Sequence, residues 1–469
     1  MNVIMRVAEP ELTGQLARGV ETLALRMKGR IVTASDSDYD ALRAVALGNW
    51  SHQPLFIARV RDAADVADVV DFARRNDLEI AIRSGGHSVC GHSGSAGGVV
   101  IDLRELNGID IDTEAMTVWA GSGLNAGEVS AALDEHKVVV GFGDSAGVGI
   151  GGLTVGGGLG YMARKHGLTI DALLAAEIVT AAGDILVVDE NNHPDLFWAI
   201  RGGGGNFGVV TRFQYRLNPL PEFTGGPLVL PATPEVVTGF VTAARAAPEE
   251  LTTILIAMPC PPMPFLPPEL YGKTVLMGMM AYAGPAAAAA VALAPFRALA
   301  TPYADLVRPG PYSMMYLPEE PGMTPAVSVR AQFVDDVDLK QAADMLERIG
   351  NCPAPMRMAQ IRVLGGAAAR VPTEATAYAH RSAPILFAYL AMDGGAEAAA
   401  RNDRWAAEGI AALGRDATAG TYVNFQAEQG ADSLGKVYPE ATLNRLRDIK
   451  RRYDPANLFR LNQNIPPAA

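Results

Sequence analysis

The most reactive side chains of the sequence are crowded into the stretch RSGGHSVCGHSG, residues 83–94. It places two histidines, His87 and His92, and one cysteine, Cys90, among four glycines. Imidazole and thiolate groups bind zinc, whereas the glycines would let a cofactor come very close to the backbone. Zinc sites usually need three or four protein ligands, and no CxxC or HxxxH pair lies elsewhere in the chain. A cofactor is therefore the favoured interpretation, with zinc as the alternative.

Glycine is concentrated in three loops of the N-terminal half, 84–94, 141–160 and 202–208. Ten of the twenty residues from 141 to 160 are glycine, which disfavours a packed helix there. Successive N–H groups in such loops form concave sites for anions, and glycine lets the backbone approach a ligand closely. G-x-G-x-x-G matches at Gly147 and Gly203 leave a Rossmann site as an alternative, but neither precedes a predicted helix. Together the three loops predict a site for a long ligand that carries a pyrophosphate.

Strand and helix patterns alternate around the first loop. The runs 55–60 and 78–83 predict strands, and Asp62 is the predicted cap of a helix between them. A β-α-β unit favours parallel strands, whose carboxyl ends face ligands in open α/β sheets. The stretch 83–94 therefore begins at a ligand-facing end. Further strands are predicted at 99–103 and 116–120, a hairpin at 177–188, and helices at 125–135 and 195–200.

From about Pro219 to residue 415 the glycine clusters disappear and longer elements alternate. The predicted strands are 251–257, 273–283, 326–334, 356–363 and 385–392, and the predicted helices are 234–246, 285–300, 338–349 and 396–413. Polar and apolar residues alternate along two of these strands, which predicts an antiparallel sheet with one packed and one open face. The candidate substrate-binding residues on the open face are Arg330, Gln332, Gln360 and Arg362.

The composition disfavours several classes of function. A net charge of −12 argues against nucleic acid or an anionic membrane as partner, because both select basic surfaces. Three cysteines in 469 residues do not make a disulfide framework. We find no signal peptide and no apolar run long enough to span a membrane. We therefore expect a cytoplasmic protein that binds no metal, and the sequence leaves open whether it forms a homo-oligomer.

Three motifs together resemble the vanillyl-alcohol-oxidase/p-cresol-methylhydroxylase (PCMH-type) superfamily of flavoproteins. They are RSGGH followed by GHSG, then GVGIGGLTVGGGLGYMARKHGLTID at 147–171, and DLFWAIRGGGGNFGVVT at 195–211. The tail sequences YVNF and RRYDPANLFRLNQNIPP are similar to the berberine-bridge-enzyme-like and 6-hydroxy-D-nicotine-oxidase-like branch. The resemblance is strong over about 50–220 and 415–469.

The resemblance implies an α+β fold with three parts. Residues 1–220 would form a PCMH-type FAD-binding domain of two α/β subdomains, with its core at about 50–220. Residues 221–414 would form a substrate domain, an antiparallel sheet backed by helices that roofs the flavin. Residues 415–469 would return to the FAD-binding domain.

The resemblance also implies FAD bonded through its 8α carbon to His87, the histidine of RSGGH. A non-covalent ring contact is the alternative for His87, and Cys90 is interpreted as a small packed residue. Ser145 stands where many members carry a second, cysteinyl link, so we expect one covalent bond. The remaining candidate FAD-binding residues are Arg83, Ser84, Gly85, Gly86, Ser88, Gly91, His92, Val148, Gly149, Ile150, Gly151, Gly152, Gly156, Gly158, Val210, Asn462 and Asn464.

The activity implied is an oxidase that transfers a hydride from a C–H beside oxygen or nitrogen to flavin N5, with O2 reduced to hydrogen peroxide. The donor would be an alcohol, a sugar hydroxyl or an amine of a small metabolite. Plant-type members have a YxNY tail motif whose last tyrosine is the base, and here Phe425 takes its place. The candidate substitutes are Tyr422, then Tyr389 and Tyr378, with Tyr312 and Tyr316 behind them. An amine donor would need no strong base.

Two alternatives to an oxidase stay open. One is a dehydrogenase that passes electrons to an acceptor other than oxygen. Ile150 stands where the family places a residue on the oxygen-facing side of the flavin, and isoleucine there does not separate the two activities, although we favour the oxidase. The other alternative is a flavin-binding paralogue without turnover, supported only by the absence of the last YxNY tyrosine.

Overall fold

A computed structural model describes residues 14–48, 50–316, 326–414, 420–428 and 430–469. Its first elements are α1 (Gly14–Arg26), β1 (Arg30–Val32), α2 (Tyr39–Arg43), β2 (Phe56–Arg59), α3 (Ala63–Arg75), β3 (Ile80–Arg83) and β4 (Val99–Asp102). The four strands form one sheet in the order β1-β2-β4-β3. The predicted β-α-β strands are parallel, but β4 lies between them and pairs with both. Asp62 caps α3 by accepting the N–H of Asp65, as predicted.

A second subdomain is built on a five-stranded antiparallel sheet in the order β5-β6-β10-β8-β9. This part of the chain comprises β5 (Ile109–Asp112), β6 (Thr117–Gly121), α4 (Ala126–Asp134), β7 (Val138–Val139), α5 (Ile150–Gly156), α6 (Ala163–His166), β8 (Leu173–Val179), β9 (Ile185–Asp189), α7 (Pro194–Ala199), β10 (Val209–Arg216) and β11 (Asn218–Pro219). The predicted hairpin is the β8–β9 pair, and its turn contains Gly183 at a φ of +90°.

Helix α5 corrects the expectation that no helix forms within 141–160. Three of its seven residues are glycine, and each costs about 1 kcal/mol relative to alanine. The helix forms because its apolar side chains are buried and its glycines admit close neighbours. A Cβ on Gly156 would stand 2.0 Å from Asn424 Oδ1. The helix also begins directly after Gly149, so the first G-x-G-x-x-G match does precede a helix, but the adjoining sheet is antiparallel and differs from a Rossmann unit.

The middle of the chain forms one antiparallel sheet in the order β15-β12-β14-β13-β18-β19-β17, with β16 beside β12. Its elements are β12 (Thr224–Pro231), α8 (Pro234–Ala246), β13 (Leu251–Pro259), β14 (Thr274–Tyr282), α9 (Ala286–Arg297), β15 (Ala304–Asp305), β16 (Arg308–Pro309), β17 (Ala326–Val334), α10 (Leu339–Asn351), β18 (Met356–Val363), α11 (Ala367–Arg370), β19 (Ile385–Asp393) and α12 (Ala396–Ala412). All five predicted strands and all four predicted helices are present. Strand β12 was missed because it begins TGGP, residues with low strand propensity.

One face of this sheet is covered by helices. Tyr389 lies on that face, with its ring centroid 5.3 Å from that of Trp405 in α12. Arg330 pairs with Tyr389 across β17 and β19, and it donates to Asp403 of α12 at 2.8 Å. Gln332, two residues further along β17, shares the face because side chains alternate along a strand. The expectation that Arg330 and Gln332 line an open substrate-facing surface is therefore wrong.

The opposite face of the middle sheet faces the N-terminal domain. Gln360 and Arg362 pair with Ala388 and Leu386 of β19, which lie on this side of the sheet. Arg362 donates to Asp144 of the second glycine loop at 2.6 Å. Of the four candidate substrate-binding residues, two thus face the helices and two face the glycine loops. Successive side chains of a strand point to opposite faces, so the register of each strand decides which face its residues reach.

The C-terminal segment, with α13 (Ala431–Val437) and α14 (Glu440–Tyr453), packs against the N-terminal domain. The Lys450 ammonium is completely buried and donates to Asn206 O, Asp454 Oδ2 and Phe459 O at 2.7, 2.7 and 2.9 Å. Three hydrogen bonds satisfy all three of its N–H groups, which is what allows a charge to be buried. Among the helices in the described ranges, none has the length and apolar character needed to cross a bilayer.

A buried ion pair joins the N-terminal domain to the middle domain. Arg381 donates to both carboxylate oxygens of Asp171, at 2.7 and 2.8 Å, and both side chains are buried. Arg381 also donates to the Thr376 hydroxyl at 2.8 Å. The pair is planar and bidentate, which sets the relative orientation of the two domains.

We expect Asp171→Asn to lower the free energy of unfolding by about 3–5 kcal/mol, because Arg381 would keep a buried charge without its counter-charge. Denaturant unfolding followed by fluorescence measures this loss. Asp344→Asn, which removes the partner of the exposed Lys340, is the control and should leave stability nearly unchanged. A loss below about 1 kcal/mol for Asp171→Asn would show that the pair is not needed to hold the domains together.

Candidate functional site

The first two glycine loops lie in direct contact. A Cβ on Gly85 would stand 2.3 Å from Gly149 N, and one on Gly149 would stand 2.1 Å from Gly85 N. Only residues without a Cβ permit this approach. The Ser84 hydroxyl donates to Ser122 O at 2.6 Å and accepts the Gly151 N–H at 3.3 Å. These contacts join the carboxyl end of β3 to the N-terminus of α5.

Arg83 shapes the first loop from inside the protein. Its guanidinium is buried and donates to the carbonyls of Leu42, Arg43 and Ser93. Burial lowers the pKa of this guanidinium to about 10. All of these bonds go to the backbone, so the position of Arg83 fits a structural role better than the predicted contact with a cofactor.

A tight turn follows His87. The Gly91 N–H donates to Ser88 O at 3.1 Å, the His92 N–H donates to the Ser88 hydroxyl at 3.2 Å, and Gly91 has a φ of +74°. His87 and His92 are both half-buried. Burial lowers the pKa of His92 to about 4, so this imidazole is neutral at physiological pH.

Cys90, in the same turn, contacts the C-terminal segment. Its Sγ donates to the carbonyls of Gln426 and Ala427 at 3.3 and 3.5 Å. Across the described residues no group of three or more His, Cys, Asp or Glu side chains is placed to hold a metal ion. The thiol therefore packs the loop against the tail.

The tail brings the third glycine loop to the first. Asn206 Nδ2 donates to Gly203 O at 2.9 Å and to Gln463 O at 3.2 Å, and its Oδ1 accepts the Ile465 N–H at 2.9 Å. Gln463 Nε2 in turn donates at 2.7 Å to Gln426 O, the carbonyl that also accepts the Cys90 thiol. The tail segment that contains Gln463 thus lies between the third glycine loop, 202–208, and the first, 84–94, and contacts both.

Three side-chain oxygens of the described tail have no partner there, those of Asn457, Asn462 and Asn464. Asn462 Oδ1 and Asn464 Oδ1 are buried and accept no hydrogen bond there, although Asn462 Nδ2 donates to Gly205 O at 3.1 Å. Buried polar atoms nearly always have a partner, so a ligand with hydroxyl or N–H donors fits here. FAD carries such donors together with a pyrophosphate that suits glycine-loop N–H groups. The residues present therefore fit FAD.

The other predicted FAD-binding residues are spread along the second loop and its neighbours. Val148 O accepts the Ala126 N–H at 2.9 Å, and Val210 O accepts the Ser122 hydroxyl at 2.6 Å. Ile150 is completely buried in the core of the second subdomain, so its side chain fits a packing role. The remaining residues lie at loop or helix positions: Ser145 and Gly86 are in loops, Gly151 and Gly152 are in the first turn of α5, and Gly156 and Gly158 face the tail.

The candidate tyrosine bases are separated by the fold. The Tyr422 hydroxyl accepts the Gly158 N–H at 2.9 Å and the Asn424 amide at 2.8 Å. Tyr378 packs edge-on against Tyr422 with ring centroids 5.9 Å apart, and it lies close to Gly157 and Gly202. Tyr389 lies on the helix-covered face of the sheet, behind the strands, and its prediction as a base is wrong for that reason.

Burial acts against all of these hydroxyls as bases. It raises the pKa of Tyr378, Tyr389, Tyr312 and Tyr316 above the ordinary value, since a phenolate would lose hydration. Tyr312 and Tyr316 also bond each other at 3.0 Å, and both are buried in the core. Burial raises the pKa of Tyr422 as well, but N–H bonds from Gly158, Leu159 and Asn424 oppose the rise.

Three residues of this site were not predicted. Ser122 O accepts the Ser84 hydroxyl and Ser122 Oγ donates to Val210 O, 38 and 88 positions away in the chain, so no local pattern marks it. Asp144 accepts a hydrogen bond from Arg362 of the middle sheet, a residue 218 positions away in the chain. Asn206 had a detectable signal, because it is the one polar side chain within the run GGGGNFG.

We expect Gly149→Ala to reduce the ratio of bound FAD to protein at least tenfold, to about a tenth or less, and to destabilise the fold by about 1–3 kcal/mol, since the new Cβ forces the first two loops apart. Absorbance of the purified protein and thermal unfolding measure the two effects. Gly350→Ala on the exposed face of α10, where a Cβ meets open space, is the matched control and should bind FAD normally. A Gly149→Ala protein with full FAD content would refute the assignment of this contact to the cofactor site.

Comparison with known proteins agrees with this geometry. A family model described as an FAD binding domain matches residues 54–189, and one described as berberine and berberine like matches 421–466. The chain is 31% identical to (R)-6-hydroxynicotine oxidase of Paenarthrobacter nicotinovorans, over 94% of this chain and 98% of that protein. The crystal structure of 6-hydroxy-D-nicotine oxidase from Arthrobacter nicotinovorans has a TM-score of 0.83 at 27% identity, covering 95% of this chain and 99% of that one.

A more distant relative shares the fold. BBE-like 1 of Physcomitrella patens has a TM-score of 0.84 at 22% identity, over 96% of this chain and 99% of that chain. The matches include both the FAD-binding part and the tail, and they confirm the PCMH-type fold, the binding of FAD and an oxidoreductase activity dependent on it. This chain belongs to the berberine-bridge-enzyme-like family of FAD-linked oxidoreductases.

Proposed function

We propose that this chain is an FAD-dependent oxidase acting on a C–H beside oxygen or nitrogen in a small alcohol, sugar hydroxyl or amine. FAD held by these loops would supply the redox chemistry, with N5 as the hydride acceptor and O2 as the final oxidant that is reduced to hydrogen peroxide. The observation that carries the proposal is the convergence of three glycine loops with a tail that holds the unpaired oxygens of Asn462 and Asn464, while the second loop also contacts Arg362 of the middle sheet. A relative matched over nearly its whole length is named an oxidase, which supports O2 as the acceptor.

We further propose that His87 carries FAD through a single covalent bond to the 8α carbon. The support is its place in a loop whose start is held by the Ser84 hydroxyl on Ser122 O and whose far end is held by Ser93 O, which accepts from Arg83. Ser145 has a hydroxyl where doubly linked relatives have a thiol, so it forms no thioether. The Cys90 thiol is bonded to the tail carbonyl of Gln426.

Within this site Tyr422 is the proposed base. Its hydroxyl already accepts the Gly158 and Asn424 N–H groups, which stabilise a phenolate. Phe425, in place of the usual tyrosine, has no proton to exchange, and its ring centroid lies 5.5 Å from that of Tyr422. The chain thus keeps a tyrosine next to the position from which the family's base is missing.

Acid precipitation tests the flavin link. We expect the yellow colour to remain with the wild-type chain and to leave the His87→Ala chain, because the 8α bond would need the imidazole. His136→Ala, an exposed histidine elsewhere in the domain, is the control and should retain the colour. Colour released from the wild type would rule out a covalent bond.

In the same preparation, reduced flavin that reoxidises slowly in air would point to a dehydrogenase, and flavin that no donor bleaches would point to a paralogue without turnover.

The pH dependence of turnover tests Tyr422. We expect kcat/KM to rise with pH through a pKa above the ordinary tyrosine value, since burial raises the pKa of Tyr422 and a base acts only after losing its proton. Tyr422→Phe should remove this rise and lower kcat/KM about 100-fold at alkaline pH. Tyr453→Phe, beside Asp195 on the far side of the domain, should change neither. If the pH profile of Tyr422→Phe is unchanged, Tyr422 is not the base and its hydroxyl only positions other groups. That result would favour an amine donor, which needs no base.

A further inference from the structure

The sheet face above the glycine loops is almost wholly apolar. Register places one set of side chains from β13, β17, β18 and β19 on this face. Its half-buried members are all apolar: Ile256, Met258, Val327, Ala331, Met358, Leu390 and Met392. On β18 and β19 the polar residues of this face are Gln360 and Arg362, and both are buried. A ligand against this wall would therefore meet carbon and sulfur almost everywhere.

The two polar residues present unused N–H groups. Arg362 Nη2 donates to Asp144 at 2.6 Å and to Gln360 Oε1 at 2.7 Å, whereas its Nε is buried without a partner in the described part of the chain. Gln360 Nε2 lies 3.5 Å from the Met358 sulfur, which is a weak acceptor. Arg362 Nε, which has no acceptor, and Gln360 Nε2, which has only a weak one, lie on one face, and a buried donor without a strong acceptor is costly. The pair is thus suited to one acceptor oxygen on a ligand.

Neighbouring groups set the charge and the orientation of this pair. The Asp144 carboxylate neutralises Arg362, so the site offers N–H groups without a net positive charge and does not demand an anion. The Phe425 ring lies under the guanidinium, with its centroid 5.1 Å from Cζ. This cation–π contact fixes the plane of Arg362. Phenylalanine at this position therefore extends the apolar wall while it orients the donors.

These features discriminate between substrate classes. An oligosaccharide has hydroxyls on every side, and an apolar wall would leave many of them without partners. A ring compound with one oxygen would bury its carbon surface against the methionines and place the oxygen at Arg362. We propose, resting on the proposed oxidase function, that the substrate is a mainly apolar ring compound with one acceptor oxygen bound by Arg362 Nε and Gln360 Nε2. Arg362 is then the residue that determines specificity.

Calorimetric titration of the flavin-loaded protein tests this proposal with three probes. They are 1-indanone, which is apolar with one carbonyl; indane, which lacks the oxygen; and xylobiose, which is covered with hydroxyls. We expect 1-indanone to bind about tenfold more tightly than indane, because the carbonyl satisfies the free donors. Xylobiose should show no saturable binding over the same concentration range. Equal affinity for 1-indanone and indane, or saturable binding of xylobiose, would overturn the proposal.

Substitutions test which residues produce the preference for 1-indanone over indane. Arg362→Met and Gln360→Leu should each bring the two affinities to within about twofold of each other, since either change removes a donor. Gln360→Leu leaves the ion pair of Arg362 with Asp144 intact, so it keeps the test valid if Arg362→Met does not fold. Arg330→Met, on the helix-covered face of the same sheet, is the matched control and should retain the wild-type preference. A preference retained in both Gln360→Leu and a folded Arg362→Met would overturn the assignment.

Binding and turnover are measured separately in this design. The titration requires no reaction, so it reports on the wall and the donors alone. A protein that prefers 1-indanone as expected, yet whose flavin is bleached by no donor, would contradict the proposed function and support the substrate class. A protein that oxidises xylobiose would contradict the substrate class and support the proposed function.

Discussion

The cofactor site depends on one completely buried charge, the Lys450 ammonium. Its hydrogen bonds to Asn206 O, Asp454 and Phe459 O join α14, the third glycine loop and the final stretch of chain at one point. Burying an ammonium is tolerable only when each N–H group finds an acceptor. The tail that carries Asn462 is therefore held in one place, and the glycine loops are arranged around it.

A second constraint is the parity of the middle sheet. Adjacent residues of a strand point to opposite sides, so one position decides whether a side chain meets α12 or the glycine loops. Arg330 and Arg362 show this effect, since both belong to the middle sheet and both form an ion pair, but their side chains lie on opposite faces. Arg330 pairs with Asp403 behind the sheet, and Arg362 pairs with Asp144 across the domain boundary. The two arginines thus have different surroundings and different roles.

Electrostatics limits which groups can act on a substrate. Burial raises the pKa of the candidate tyrosines, and Tyr422 is distinguished by the N–H groups of Gly158 and Asn424 directed at its oxygen. Those donors exist because α5 ends in glycines that admit the tail closely. The same close packing of the tail against these glycines buries the site and places N–H groups at the Tyr422 oxygen. It therefore decides which hydroxyl can carry a negative charge and act as a base.

The sequence by itself determined the family, the fold class, and five of the eight strands and four of the five helices described in the middle domain, because these follow from motifs and from local periodicity. It did not predict α5, since the cost of its glycines is offset by contacts with Asn424, distant in the chain. Nor did it separate Arg330 from Arg362, because which face of a sheet is covered depends on how the domains pack. Only the tertiary structure decided those points, since burial and hydrogen bonding between remote residues override local preference.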